Sequence, residues 1–342
     1  MQIIIKLGGI LEDRKFKTIL VTGGAGFIGS NFIRYMVKKY PEYKIINLDK
    51  LTYAGNLENL KSIDDKPNYK FIKGDIADTK IVGEIFSSSK IDAVVNFAAE
   101  SHVDRSIDNP GVFIQTDVYG TFVLLEAVKN HKTKLFFQIS TDEVYGSILD
   151  GSFKEDDPLL PNSPYSASKA GAEMIVRSFY KTYKTPTVIT RTSNNFGPFQ
   201  FPEKIIPFFV TNLIDDIKVP LYGDGLNVRD WIYVEDNCRA IDIVLHKGRI
   251  GEIYNIGAGN EKPNIWITKK LIELTGKSES MIEPVADRLG HDRRYSVDCT
   301  KIENEFGWKP QYDFEEALSK TVNWYVNNEN WWRPLKARIS KK

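Results

Sequence analysis

Two short segments carry most of the chemistry open to this chain: Ile139-Ser140-Thr141-Asp142-Glu143-Val144-Tyr145-Gly146 and, a little further on, Tyr165-Ser166-Ala167-Ser168-Lys169. Residues four apart on a helix share a face, so the Lys169 ammonium can stand beside the Tyr165 phenol if Pro164 opens a helix. A free phenol ionises near pH ~10 and a neighbouring cation lowers that value, which would make Tyr165 a base toward an alcohol. Asp142 and Glu143 add two carboxylates that can move protons. On a strand they would point to opposite faces, so an irregular turn after Ser140 is needed to aim both inward. A Tyr-x-x-x-Lys match alone is weak, because a tyrosine with a surface lysine one turn away fits it equally. The surrounding elements have to decide.

Those elements begin with a nucleotide-binding pattern. Residues 17–21 read as a short buried strand, 23–29 as a glycine-rich turn and 30–36 as the opening of a helix. Within the turn, which starts at Gly23, Gly24, Gly26 and Gly29 satisfy G-x-G-x-x-G, where missing side chains let the backbone approach a pyrophosphate at a helix N-terminus. Asp49 ends the next apolar strand, twenty residues past Gly29. A carboxylate there accepts hydrogen bonds from a ribose and repels a 2′-phosphate, which favours NAD over NADP.

Further strands are expected at 69–73, 93–97, 134–140 and 187–191, separated by segments long enough for crossover helices. The alternation predicts an α/β fold with a doubly wound parallel sheet, a Rossmann domain. Ligands of such sheets sit beyond the carboxyl ends of the strands. The informative residues fall there: Asp49, Asp75 and Ile76, the run from Phe97 to Ser101, Thr141 to Glu143, and Asn194 with Asn195.

Taken together with the blocks at 48–56, 98–106, 194–204 and 223–231, these residues resemble the extended short-chain dehydrogenase/reductases, and among them the dTDP-glucose 4,6-dehydratases, from about Lys17 onward. The resemblance implies that Tyr165 and Lys169, with NAD, oxidise the sugar at C4 while Thr141 orients the alcohol. It implies that Glu143 removes the acidified C5 hydrogen, that Asp142 protonates the departing C6 hydroxyl, and that hydride then returns to C6. Net redox is zero, so the cofactor is expected to stay bound between turnovers. The resemblance further assigns Phe27 and Ile28 to the phosphate turn, Asp49, Lys50, Leu51 and Thr52 to the ribose, and Asp75 and Ile76 to the adenine. Phe97, Ala98, Ala99, Ser101, Thr116 and Asn195 resemble the walls of the nicotinamide half.

After Asn194 the composition shifts toward loops with Gly, Pro and isolated aromatics, with helices expected at 235–246, 265–274 and 314–325. This portion reads as a smaller, interleaved substrate-binding lobe. The expected division is an extension at 1–16, an NAD-binding domain at 17–193, and a lobe at 194–342 interleaved with it. A guanidinium suits the diphosphate of a sugar nucleotide, and Arg229 is the candidate. By resemblance Lys204, Arg288 and His291 lie near it, with Ser101, Asn194, Glu203, Pro220, Tyr222 and Asn264 as further substrate positions. The chain also departs from the family pattern: Asp117 stands where Asn is usual, Asn237 replaces His, Leu289 replaces Pro, and Phe196 and Phe199 take places commonly held by Tyr.

Composition limits the remaining possibilities. With 46 basic and 45 acidic side chains among 342 residues, the net charge of +1 carries no nucleic-acid footprint. Cys238 and Cys299 show no metal or redox spacing, and the four histidines are dispersed, so no metal is expected and a reducing cytoplasm suits the chain. Ile3-Ile4-Ile5 is far too short for a membrane span, and residues 1–16 read as an added tail or edge strand without a function. A homodimer pairing the helices at 111–130 and 164–183 follows from the resemblance. Two alternatives stay open in the residues: a C4 epimerase, which needs Tyr165, Lys169 and NAD but no acid/base pair at 142 and 143, and a UDP rather than dTDP carrier. A non-enzymatic nucleotide sensor would need none of Tyr165, Lys169, Asp142 and Glu143 intact.

Overall fold

The computed structural model describes residues 13–287 and 290–339. Twelve strands are described: β1 (Thr18–Thr22), β2 (Lys44–Asp49), β3 (Tyr69–Lys73), β4 (Ala93–Asn96), β5 (Leu135–Thr141), β6 (Thr187–Thr192), β7 (Asn194–Phe196), β8 (Val219–Tyr222), β9 (Val228–Tyr233), β10 (Ile253–Ile256), β11 (Glu261–Pro263) and β12 (Ile282–Val285). Seven of them form one parallel sheet in the order β10-β6-β5-β4-β1-β2-β3. The order reverses direction at β1 and β4, and such a switch point opens a crevice at the strand ends. β10 belongs to this sheet although it follows residue 194, so the chain returns to the first sheet after leaving it. Two smaller sheets, β11-β9-β7 and β12-β8, make up the lobe.

The helices are α1 (Phe27–Lys39), α2 (Thr79–Ser88), α3 (Val103–Asp108), α4 (Pro110–Phe113), α5 (Thr121–Asn130), α6 (Pro164–Tyr183), α7 (Ile205–Ile214), α8 (Val234–Lys247), α9 (Asn264–Leu274), α10 (Thr300–Phe306), α11 (Phe314–Asn327) and α12 (Glu329–Ile339). Successive strand residues face opposite sides, so Ile19, Val21 and Val95 bury against α1 and α8, while Leu20, Ile46, Val94 and Phe136 bury against α2, α5 and α6. This two-sided burial explains why the strands read as continuous apolar runs. A third core packs α7, α9, α11 and α12 around the lobe strands through Phe209, Trp231, Leu271 and Trp332.

Of the expected N-terminal extension, residues 1–12 lie outside the described residues. Residues 13–16 form no strand, and Arg14 donates to the carbonyls of Val244, Leu245 and Gly248 at the end of α8. A cation suits the exposed carbonyls of a helix C-terminus. The stretch Pro110–Asn130 is long and apolar enough to cross a bilayer by length and composition. It lies along α6, however, with Leu124, Leu125 and Val128 in the core.

Candidate active site

Strand β5 runs one residue further than the sequence suggests, to Thr141, and a single 3-10 turn over Asp142–Tyr145 follows. The Thr141 hydroxyl accepts the N–H of Glu143 at 3.2 Å and caps this turn. The break in strand geometry lets both carboxylates, Asp142 and Glu143, line the same cleft as Thr141, Tyr165 and Lys169. Helix α6 opens at Pro164 behind a Ser163 capping box, which sets Tyr165 in the first turn and Lys169 one turn on.

Burial raises Asp142 well above the usual carboxylate range, and the charges of Glu143 and Asp230 add to it. Its Oδ1 lies 3.2 Å from the Thr141 hydroxyl, while Oδ2 is buried and accepts no hydrogen bond among the described residues. Burial thus favours the protonated form of Asp142, the form that can donate. The expectation for Tyr165 is corrected. Its pKa is raised, not lowered, first by burial and then by Glu143 and Asp117, with a Thr141 hydrogen bond opposing. The reason is geometric: Lys169 Nζ donates to the Ile139 carbonyl at 2.8 Å, and that amine is itself pushed down by burial, with Asp117 and Glu173 opposing.

The cleft continues from these groups to the glycine turn, lined by Gly23, Gly26, Phe27, Ile28 and Gly29, then Asp49, Lys50, Thr52, Asp75 and Ile76. Phe97, Ala98, Ala99, Ser101, Thr116 and Asn195 form its other wall. α1 begins at Phe27, inside the glycine run, so its unbonded N–H groups face the cleft. Gly23 has φ +66°, and a Cβ on Gly29 would stand 2.5 Å from the Gly23 carbonyl. Gly24 turns away instead: a Cβ there would meet Asn47 and Ile33, and its N–H bonds Asn47 Oδ1 at 3.1 Å. The pattern that meets the cleft is thus Gly23, Gly26 and Gly29, three residues apart. Leu51, φ +57°, packs against the core and does not line the cleft. Asp49 takes the N–H groups of Ala25 (2.8 Å) and Leu51 (2.7 Å), and a carboxylate has lone pairs left for a ribose. Lys50 pairs with Asp75 at 2.7 Å. The glycine cradle, the helix N-terminus and the acid at the end of β2 fit an adenine dinucleotide.

On the substrate side, Asn194, Glu203 and Lys204 line the cleft. Lys204 Nζ reaches the Ser101 carbonyl at 2.6 Å. Glu203 accepts from Tyr53 (2.8 Å) and Arg105 (3.2 Å), and His102 Nε2 stands 3.7 Å away. The sequence reading missed this tie, since Tyr53, Arg105 and Glu203 are far apart in the chain. Arg229, Pro220, Tyr222, Asn264 and His291 do not line this cleft but gather on β8, β9, α9 and the segment after β12. Arg229 donates to the carbonyls of Val228 (2.8 Å) and Asp292 (3.0 Å) and lies over the Tyr295 ring at 4.2 Å. His291 Nδ1 is 2.6 Å from Asp287 and meets Tyr222 edge to face. Arg288 and Leu289 lie outside the described residues.

The chain is similar to known sugar-nucleotide dehydratases. A model described as GDP-mannose 4,6 dehydratase matches residues 20–321. A dTDP-glucose 4,6-dehydratase of Streptomyces antibioticus is 50% identical over 325 residues, covering 94% of this chain and 96% of the relative. The solved dTDP-glucose 4,6-dehydratase of Bacillus anthracis, in complex with NAD, is 55% identical, covers 93% of this chain and 99% of its own, and has a TM-score of 0.87. That of Streptomyces venezuelae, with NAD bound, is 50% identical, with the same coverage and a TM-score of 0.91. This chain belongs to the dTDP-glucose 4,6-dehydratase family.

Within that family its departures now have places. Asn237 closes a ring of amides: its Nδ2 donates to Asn195 Oδ1 at 2.8 Å, and Asn195 Nδ2 donates to Thr192 at 3.1 Å. It thereby fixes a wall residue of the dehydratase cleft. Phe196 is buried in the lobe core beside Tyr233 and Phe314. Phe199 stacks under the Arg34 guanidinium (3.9 Å) and against Trp324 and Trp331. Both rings face packed surroundings, where a hydroxyl would need a partner.

Proposed function

We propose that this protein dehydrates dTDP-glucose to dTDP-4-keto-6-deoxyglucose with an NAD that stays bound from turnover to turnover, as a hydro-lyase. The observation that carries this reading is the pairing of Asp142, buried and with its proton favoured by that burial, with Glu143 at the end of β5, in the cleft that holds Tyr165 and Lys169. A C4 epimerase has no use for such a pair. Thr141 and Tyr165 hold the C4 hydroxyl, and the Tyr165 phenolate takes its proton, becoming the phenol, helped by the Lys169 ammonium. NAD, when bound, supplies the hydride acceptor and donor and a positive ring charge that favours the phenolate. Glu143 removes the C5 hydrogen, and Asp142 protonates the C6 hydroxyl as it leaves. Arg229, His291, Tyr222 and Asn264 recognise the nucleotide diphosphate and base, and residues 194–342 act chiefly as the substrate lobe.

Two finer features accompany this reading. Val112, Ile114, Tyr119 and Phe122, with Met174 and Tyr183 on α6, are exposed apolar side chains. They support a homodimer that pairs the helices at 111–130 and 164–183 of each subunit. Free Cys238 and Cys299 suit the cytoplasm. The experiment is direct: incubate the purified protein with dTDP-glucose, add no cofactor, and identify the product by NMR. A 4-keto-6-deoxy sugar is expected. dTDP-galactose would make it an epimerase, and unchanged substrate would remove the reading.

A further inference from the structure

Asp117 is a buried carboxylate that the reaction above leaves without a task. It lies in a π-helical turn, Ile114–Gly120, between α4 and α5, and is 1% exposed. Its Oδ1 accepts the N–H of Glu100, in the loop after β4, at 2.9 Å. Its Oδ2 accepts the Ser168 hydroxyl at 2.6 Å, beside Lys169 in sequence, and Ser168 Oγ lies 2.8 Å from the Tyr165 carbonyl. One carboxylate thus joins a wall of the cleft to the first turn of α6. Asp117 is the largest influence favouring the charged form of Lys169 against burial, and it also disfavours loss of the Tyr165 proton. Burial raises Asp117 itself to about 6, with Lys169 the main opposing influence. The charged or titratable groups facing it are Lys169 and Tyr165 from α6 and Glu100 from the β4 loop, with Glu143 and Asp142 acting on the same phenol. α4 and the first turn of α5 contribute none.

We propose that Asp117 is a positioning residue for the Tyr165 and Lys169 pair, whose buried charge holds Lys169 as the ammonium and sets the pH window in which the pair can cycle a proton. The proposal rests on the dehydratase reading above. A lysine taken out of water drifts toward the neutral amine, and a carboxylate on the neighbouring turn opposes that drift. The same negative charge resists formation of the phenolate. Removing it therefore makes Lys169 lose its proton more readily and Tyr165 lose its own more readily, so both titrations move the same way, which no loss of a mere anchor would do.

The test compares pH profiles of product formation. Asp117→Asn keeps an acceptor for Glu100 and a partner for Ser168 but deletes the charge. Both limbs of its bell should move to lower pH, by on the order of one pH unit. Ser168→Ala deletes the hydrogen bond and leaves the charge, so its limbs should stay where the parent's are, even where its rate falls. Asp117→Ser, a smaller neutral acceptor, repeats the measurement if the Asn variant does not fold. Unmoved limbs in a folded neutral variant, or equal shifts in Ser168→Ala, overturn the proposal. A second readout needs no turnover: melting temperatures of the parent, Asp117→Asn, Lys169→Met and the double variant at pH 8. Asp117→Asn should raise the melting temperature more in the Lys169→Met background, where no ammonium offsets the buried carboxylate, and equal changes in the two backgrounds overturn the proposal. A parent that forms no product defeats the dehydratase reading alone, and the melting cycle then decides this one.

Discussion

In the first sheet, the strand ends that reach the cleft are held in parallel register by backbone hydrogen bonds: Thr141 stands opposite Thr192, and both line the cleft. In the lobe, two of the groups expected to meet substrate are engaged with their neighbours: Arg229 with the Asp292 carbonyl and the Tyr295 ring, His291 with Asp287. The first region sets its strand ends through main-chain register, to which side-chain ties such as Asp117 to Ser168 are added. The second relies on polar side chains holding other side chains and carbonyls, so a single truncation there disturbs both binding and folding. The comparison makes a prediction: deletions on the sheet side should strike chemistry while sparing the fold, and deletions in the lobe should do both.

The largest effect is expected on the sheet side. Tyr165→Phe keeps the ring that packs edge to face against Phe113 but removes the proton acceptor. Turnover should fall by roughly 10²–10⁴-fold or more while purified protein still carries NAD. Normal product formation would take Tyr165 out of the mechanism.

The two carboxylates then separate the steps. With Glu143→Gln, NADH absorbance should rise on adding substrate while exchange of the C5 hydrogen with deuterated solvent nearly stops. With Asp142→Asn, exchange should persist and a 4-keto sugar that still bears its C6 hydroxyl should accumulate, because an amide cannot deliver a proton. Each turnover should drop by on the order of 10²–10⁴-fold, and the double variant should lose less than the product of the two. Parent rates in both single variants would end the acid/base assignment.

Arg229→Ala probes the lobe. Losing a charge-assisted contact worth about 1.5–3 kcal/mol should weaken sugar-nucleotide binding roughly 10- to 100-fold by calorimetry. It also removes one of two donors to the Asp292 carbonyl, leaving Asn227, and bares the Tyr295 face, so melting should fall as well. Affinity lost with no change in melting would make the lobe behave like the sheet side, and the contrast between the regions would collapse.

The smallest effect concerns stability. Asp142 has a folded pKa well above its unfolded value. The folded state therefore binds that proton more tightly than the unfolded chain, and the stability this gives is present at acid pH and lost as pH rises above the ordinary carboxylate range. Asp142→Asn carries no charge to desolvate. It should melt a few degrees above the parent at pH 8, with the gap closing toward pH 4. A gap independent of pH would place the Asp142 charge in solvent.

By itself, the sequence determined the parallel α/β sheet, the glycine turn, the strand end at Asp49, the helix start at Pro164 and the one-turn spacing of Tyr165 and Lys169. Each is a local matter of period, turn chemistry or spacing, and strand-end placement follows from topology alone. It left three things to the tertiary structure. Gly24 and Gly23 exchange roles because the direction a glycine faces depends on Asn47 across the sheet. Tyr165 is raised rather than lowered because its burial and the nearby Glu143 outweigh a lysine whose ammonium is bonded to Ile139. Asp117, Glu203 and Arg229 draw their partners from segments far away in the chain. Desolvation and long-range side-chain pairing have no period in a sequence, since they exist only once distant elements close over the same volume.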